Sequence, residues 1–434
     1  MIAKFRRMFP RIYRLVSVSA LRRVIRRAES SGKKSASALG ARPRRLLYVA
    51  ASSLPYHISG YTTRTHEVVS ALRATGLDVE VMTRPGYPWD RKDRLHDPIE
   101  DSTSVEGVPY RHANAPSKHR PILQYVMQAA SVIEEAARRL NVSVIHAASN
   151  HENALPALVA ARRLGLPFQY EMRGLWELTR VSRMAKYEHS EDFKQGLELE
   201  GLVATEADRV FAISEQLANF CRQRWGIPAD HFSLLPNCVN PSKFVVSDHT
   251  ECDPFVIGYA GSLISYEGLD TLIRAVGVLV RRASPVEVRV IGHGEAEVEL
   301  KQLVDELGLG DRIHFLGKMP PDQARAEIKR CSIVCIPRKP FQVCAIVPPI
   351  KMVEALALAK PVIVPDLPVF RDELGDGSGG WFFRSGDVED LARVIDIALG
   401  DSVQLGEKSI KAREHALGHR SWADHVAKVL QLCG

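Results

Sequence analysis

Residues 345–366 read Ala-Ile-Val-Pro-Pro-Ile-Lys-Met-Val-Glu-Ala-Leu-Ala-Leu-Ala-Lys-Pro-Val-Ile-Val-Pro-Asp. Pro348 and Pro349 suit the first turn of a helix, where a missing N–H costs nothing. Lys351 and Glu354 then stand three apart, on one helical face. Free N–H groups at such a start attract phosphate, and Lys351 adds a mobile positive charge. Glu354, one turn deeper, is suited to accept hydrogen bonds from vicinal hydroxyls. An apolar strand, 361–364, follows without a long loop. Phosphate and hydroxyl recognition at the top of an α/β unit predicts a sugar nucleotide as ligand. The competing reading is an ordinary amphipathic helix with solvated charges.

The same grammar extends in both directions. Short apolar runs at 46–50, 79–83, 144–147, 168–171, 210–213 and 232–235 alternate with helical patterns. Runs at 255–260, 286–291, 313–316, 333–336 and 361–364 repeat the alternation in the second half. Strands and helices at this spacing predict parallel sheets covered on both faces. The fold expected is α/β, with two doubly wound domains facing across a cleft and ligands beyond the carboxyl ends of the strands. The boundaries expected are a basic tail and linker over 1–45, a first domain over 46–245, a second over 250–404 and a helical tail over 405–434. Residues 84–120, rich in Pro, His and Asp, read as long excursions over one face.

A chain of 434 residues is too long for one typical core, and 45% hydrophobic with 25% charged residues is ordinary for a globular protein. The charge is unevenly spread. Residues 1–45 hold fourteen Lys/Arg against one Glu, a net of +13, so the rest carries −6 of the overall +7. Seven cysteines, at 221, 238, 252, 331, 335, 344 and 433, show no paired zinc spacing, and an odd number argues against a disulfide framework. Structural thiols in a reducing cytosol are expected, and no metal. No run approaches the roughly 18 apolar residues that span a bilayer.

The tail carries two apolar stripes. Phe5, Met8, Phe9, Ile12, Leu15 and Val16 oppose Arg7, Arg11 and Arg14; Val18, Leu21, Val24, Ile25 and Ala28 oppose Arg22, Arg23, Arg26 and Arg27. The stripes are out of phase and Pro10 interrupts the first, which predicts two short interfacial helices, with 30–45 as a linker. Such elements bind anionic membrane surfaces. A nucleic-acid arm, a transit peptide and a solvated tail are the other readings. The reading taken is an anionic membrane surface bound through residues 1–30 and no nucleic acid, placing the protein peripherally on the inner face of the cytoplasmic membrane.

Glycines punctuate the strand ends. Gly60 follows the first strand, Gly261 opens the second half, and Gly292-His293-Gly294-Glu295 follows 286–291. Each lets backbone approach a ligand closely. Neither half shows a dinucleotide fingerprint or a Walker lysine. In order along the chain stand Phe211-Ala-Ile-Ser-Glu, Leu235-Pro-Asn-Cys-Val-Asn, Gly258-Tyr-Ala-Gly-Ser, Glu267-Gly-Leu-Asp, Val290-Ile-Gly-His-Gly-Glu, Ile313-His-Phe-Leu-Gly and Pro349-Ile-Lys-Met-Val-Glu-Ala. Taken together, these resemble the retaining GT-B glycosyltransferases of family four, the group-one bacterial type. The likeness runs from about 46 to 425 and leaves the basic tail outside. The Pro-x-Lys-x-x-Glu form resembles a variant branch attached to exopolysaccharide assembly.

The resemblance implies a retaining transfer from a nucleotide diphosphate sugar, held on the second domain, to a polysaccharide or lipid-linked saccharide acceptor at the first. It implies no metal and no cofactor. By position, Glu354 resembles the residue that grips the ribose hydroxyls, and Gly261 and Ser262 the turn beneath the pyrophosphate. Lys318 and Met319 fall where the base is flanked, and Gly60 resembles the loop glycine near phosphate and sugar. The usual pattern has arginine after Gly261 and lysine before Gly268; here these are Ser262 and Glu267. Two cations are lost beside a dianion, and Arg338 and Lys351 are the candidates to replace them. The first glutamate of the family's paired glutamates would fall at Ile346, so no carboxylate nucleophile stands there. A sugar-contacting histidine of many relatives corresponds to Arg173, whose role would be electrostatic. Either Glu171 or Glu177 would orient it or assist the acceptor hydroxyl; a plain salt-bridge cluster is the competing reading. A catalytically inactive scaffold and a sugar-nucleotide epimerase are the alternative functions.

Overall fold

The apolar runs become strands of two separate sheets in a computed structural model that describes residues 2–36, 43–245 and 252–432. The first sheet holds β1 (Arg45–Ala50), β2 (Asp78–Thr83), β3 (Ser102–Val105), β4 (Val108–Arg111), β5 (Val144–Ala148), β6 (Phe168–Met172), β7 (Arg209–Ala212) and β8 (Phe232–Leu234), in the order β3-β4-β2-β1-β5-β6-β7-β8. Every neighbouring pair is parallel except β3 with β4. The second sheet holds β9 (Val256–Ala260), β10 (Glu287–Ile291), β11 (Ile313–Gly317), β12 (Ile333–Cys335), β13 (Val362–Pro365) and β14 (Gly380–Phe383), in the order β11-β10-β9-β12-β13-β14 and wholly parallel. The strand order reverses between β1 and β5 in one sheet and between β9 and β12 in the other. Those two crevices are where such sheets hold ligands.

Helices cover the sheets for reasons legible in their spacing. In Leu269–Arg281, Leu272, Ile273, Val276 and Leu279 recur on one face and are all buried. Three strands do not appear among the apolar runs of the sequence. The β3–β4 hairpin lies inside the supposed excursion 84–120; β3 is a polar edge strand, Ser-Thr-Ser-Val, with no apolar alternation to reveal it. The edge strand β14, Gly-Trp-Phe-Phe, is too short to stand out by itself.

Two compact units result, one comprising the chain to Pro236 together with Trp422 onward, the other Asn237–Ser421. The division therefore falls earlier than the expected 245/250, and the expected tail 405–434 is split. Helix Ser402–His419 packs on Ile350–Ala357 within the second unit. Helix Trp422–Val426 packs on Gly60–Ala74 within the first, where Trp422 Nε1 donates to Glu67 Oε2 at 3.1 Å.

The tail corrects the expectation of two short interfacial helices. Helix Ile2–Met8 is followed by one long helix, Pro10–Ala36, with Pro10 as its first residue. The second stripe is core: Val18, Leu21, Ile25 and Ala28 are buried against helices His151–Leu164 and Glu191–Glu206. Gly32 fits there because an added Cβ would lie 1.9 Å from the Arg162 carbonyl oxygen. The stripes are out of phase because one faces the domain and the other faces away. Of the expected linker, 37–42 lies outside the described residues, as does Cys433. Among the described residues no helix is long and apolar enough to cross a membrane.

Candidate active site

At the top of the second sheet, β9 ends in the turn at Gly261 and β10 in the turn at Gly292. An added Cβ at Gly261 would lie 2.6 Å from Lys351 Nζ, and one at Gly292 would lie 1.8 Å from the Gly261 carbonyl oxygen. Only glycine allows this approach. Lys351 sits in the first turn of helix Ile350–Ala357, whose start at Pro349 takes no side-chain cap. The first N–H groups of that helix therefore have no side-chain cap.

Lys351 Nζ donates to Tyr259 Oη at 2.8 Å and to Glu267 Oε2 at 2.9 Å. The Tyr259 hydroxyl in turn donates to the Ser262 carbonyl at 2.9 Å, pinning the turn beneath exposed Ser262. Arg338 reaches the same carboxylate, with Nη2 2.9 Å from Glu267 Oε1 and Nε 3.3 Å from Oε2. Its Nη1 donates to the Val347 carbonyl at 2.9 Å. Burial would raise the Glu267 carboxyl, but Arg338 and then Lys351 outweigh it and hold it at about 2. Burial lowers the Lys351 ammonium, with Glu267 opposing. One carboxylate thus faces two basic side chains.

Both candidate replacements for the missing cations therefore converge, and they do so on Glu267, the residue standing where the family pattern has lysine. Arg338 is buried, not a surface neighbour of Lys339, which pairs with Asp270 at 2.9 Å. Glu354 is half-buried and shares a hollow of about 100 Å³ with Lys351, Arg325 and Ala260. Exposed Lys318 and half-buried Met319 lie in the loop between β11 and helix Pro321–Lys329.

In the first unit the carboxyl ends of β1, β5 and β6 bring Tyr48, His146, Glu171 and Arg173 together. Arg173 Nε and Nη2 donate to Glu171 Oε1 and Oε2 at 2.9 and 3.0 Å. Its Nη1 donates to the Tyr61 carbonyl at 3.0 Å and to Thr65 Oγ1 at 2.8 Å, and its second Nη2 hydrogen goes to the Tyr48 hydroxyl. All five guanidinium donors are engaged inside the unit. Arg64 adds a second cation, its Nε 3.0 Å from Glu171 Oε1, while its Nη groups donate to the Pro236 and Leu235 carbonyls. Burial opposes ionisation of Glu171, yet Arg173 and Arg64 hold its carboxyl well below the usual range. Gly60 is exposed in the first turn of helix Gly60–Ala74, behind the Ser59 cap.

Glu177 does not join that group, which corrects the expectation that it orients Arg173. The first turn of helix Trp176–Arg183 carries it towards Glu191–Glu206, where Gly196 makes room: an added Cβ would lie 2.1 Å from Glu177 Oε1. Its neighbours are His151, 3.8 Å away, and Glu200, whose Oε1 is 3.2 Å from His151 Nδ1. Burial, with the Glu200 charge adding to it, pushes Glu177 up to about 7 against the pull of His151. Burial would lower His151, but the Glu200 hydrogen bond and charge raise it to about 9. The ligand atoms of His151, Glu177 and Glu200 lie within 4.8 Å of one another, a spacing that could gather round a cation. Glu177 Oε2 has no partner among the described residues.

Residues 246–416 match the family described as glycosyl transferases group 1, and residues 59–238 match the glycosyl transferase 4-like domain. Both units therefore match glycosyltransferase families, the second the group 1 model and the first the 4-like model. Among relatives of known description, the chain is 26% identical over 246 residues to a D-inositol 3-phosphate glycosyltransferase of Nocardia farcinica, covering 52% of each chain. The chain thus spans about half the length of the curated relatives it matches. Sucrose-phosphate synthase from Thermosynechococcus elongatus superposes with a TM-score of 0.71 at 17% identity, over 89% of this chain and 98% of that one. The Anabaena HepE protein, solved in complex with UDP, superposes with a TM-score of 0.69 at 17% identity, over 89% and 98%. The fold is GT-B.

Several residues of the two sites have no direct signal in the sequence. Tyr259 and Glu267 anchor Lys351, and Tyr48 and Arg64 surround Glu171. Glu267 was noticed only as a loss of charge. A signal was nonetheless present, since a carboxylate gained where a lysine is lost calls for cations from elsewhere. Arg64 carried no signal, because its partners lie more than a hundred residues away along the chain.

Proposed function

We propose that this chain transfers a sugar from a nucleotide diphosphate sugar to a polysaccharide or lipid-linked saccharide acceptor, with retention at the anomeric carbon. One observation carries the reading: Lys351, at an uncapped helix start, touches the Gly261 turn while Glu354 stands one turn deeper beside the same hollow. The diphosphate takes the helix start and Lys351; the ribose hydroxyls take Glu354. Residue 346 is an isoleucine, so the helix offers no carboxylate nucleophile at that place. Transfer on the front face follows, the leaving diphosphate itself accepting the acceptor's proton. The helix start and Lys351 stabilise the charge that develops on it, so the reaction needs no metal. Arg173 and Glu171 act on the acceptor side as a buried, oriented charge pair, with Glu177 in the neighbouring acid–imidazole group. The Pro-x-Lys-x-x-Glu form supports a place in exopolysaccharide assembly, at the inner face of the cytoplasmic membrane.

Four measurements test this. Calorimetry with UDP and GDP should give binding, and no binding at millimolar concentration would favour a scaffold without turnover. Incubation with donor alone should give slow hydrolysis; an altered sugar would favour an epimerase. NMR of the product should show the donor's anomeric configuration kept, and an inverted product would overturn the mechanism. Glu354→Ala should lower turnover by about 100-fold or more without changing the melting temperature.

A further inference from the structure

The outward face of the N-terminal helices has two halves. At about 100° per residue, Phe5, Met8, Phe9, Ile12, Leu15 and Val16 fall within an arc of roughly 120°, and Arg22, Arg23, Arg26 and Arg27 continue the same side. Helical hydrogen bonds from Phe9 N to the Phe5 carbonyl and from Tyr13 N to the Phe9 carbonyl, both 2.9 Å, carry the phase through the junction. The six apolar side chains are 42–60% exposed. The opposite side of the long helix is clamped into the first unit by Leu21 and Ile25, both fully buried. The face is therefore presented by a rigid support.

The arginines divide by side as well. Arg6 pairs with Asp192 at 2.8 Å and Arg14 with Glu191 at 2.7 Å, so these inward cations are neutralised by the domain. Arg22, Arg23, Arg26 and Arg27 are exposed and make no ion pair among the described residues. Arg22 and Arg26 also edge a hollow of about 730 Å³ that includes Arg224 and Trp225, with Glu198 and Glu206 on its wall.

We propose that this face is a docking foot for an anionic phospholipid bilayer. Its apolar half enters the interface, and its four free arginines, with the hollow behind Arg22 and Arg26, bind lipid phosphate. Apolar insertion next to unpaired cations is the combination that anionic interfaces select. The proposal deepens the reading of a lipid-linked acceptor. It is tested without turnover, so either reading can fail alone.

The full chain would be sedimented with phosphatidylcholine vesicles, with and without about one third phosphatidylglycerol. Binding should require the anionic lipid and weaken as salt rises. Arg22→Glu with Arg26→Glu should weaken it by at least about tenfold. Phe5→Ser, Phe9→Ser and Ile12→Ser together should abolish it at low salt. Melting temperature and UDP binding should be unchanged in both, because none of these side chains is buried. Equal binding to neutral vesicles, or wild-type binding by both variants, would overturn the proposal. So would a dimer that the serine variant converts to monomer, which would make the face a contact between copies of the chain.

Discussion

Lys351 and Glu267, 84 residues apart, form a buried ion pair with Nζ 2.9 Å from Oε2, and Arg338 occupies the other oxygen of the same carboxylate. These three side chains thus tie the turn at Glu267, the segment after β12 and the start of helix Ile350–Ala357 to one point. Removing one partner of a buried pair leaves a charge uncompensated and costs about 3–5 kcal/mol. Glu267→Gln should destabilise the second unit by that order. Glu267→Lys, which restores the residue of the usual family pattern, should be worse, since it sets a third cation beside two. Chemical unfolding measures both, and a stable Glu267→Lys protein would refute the cluster.

The two glycines at the turn should respond differently to the same added methyl. At Gly261 the Cβ meets the far end of Lys351, which can step aside only by loosening its bonds to Tyr259 and Glu267, so Gly261→Ala should fold with some loss of stability while losing affinity for UDP. At Gly292 it meets backbone, the Gly261 carbonyl, which cannot step aside. Gly292→Ala should lower stability by about 1–3 kcal/mol or more. Calorimetry with UDP and thermal melting distinguish the two, and identical behaviour would count against this geometry.

The acid–imidazole group predicts a pH dependence. Glu177, raised from 4.5 to about 7, favours the folded state while protonated; that contribution is present below about 4.5 and lost as pH rises through 7. His151, raised from 6.5 to about 9, contributes stability that is full below 6.5 and lost as pH rises through 9. Both slopes fall in the same direction. Glu177→Gln should flatten the lower limb and leave a fall above neutrality. Urea titrations across about pH 5 to 9 read this out, and a lower limb unchanged in the variant would exclude Glu177 as its source.

Trp422 should matter to the first unit despite its place near the end of the chain. It is 4% exposed, and the Arg64 guanidinium lies 5.1 Å from its ring centre. Trp422→Ala should cost about 3–5 kcal/mol and loosen Arg64, hence Glu171. A melting temperature within a degree or so of wild type would show that the terminal helix contributes no packing.

Local signals in the sequence determined a good deal by themselves. The strands β1, β5, β6, β9 and β13 were legible because a buried parallel strand is a short apolar run bounded by turns. The helix start at Pro349, with Lys351 and Glu354 on one face, was legible because proline's fixed backbone and helical spacing act within one turn. What only the tertiary structure decided involves partners far apart along the chain. The amphipathic stripes of the tail could be read, but not which one meets a domain, since that depends on what surface helices His151–Leu164 and Glu191–Glu206 offer. Nor could the sequence assign Glu267 to Lys351 and Arg338, or Glu177 to His151 and Glu200. Periodicity is a property of a segment, whereas a buried charge takes its partner from whichever strand end the fold brings within hydrogen-bonding distance.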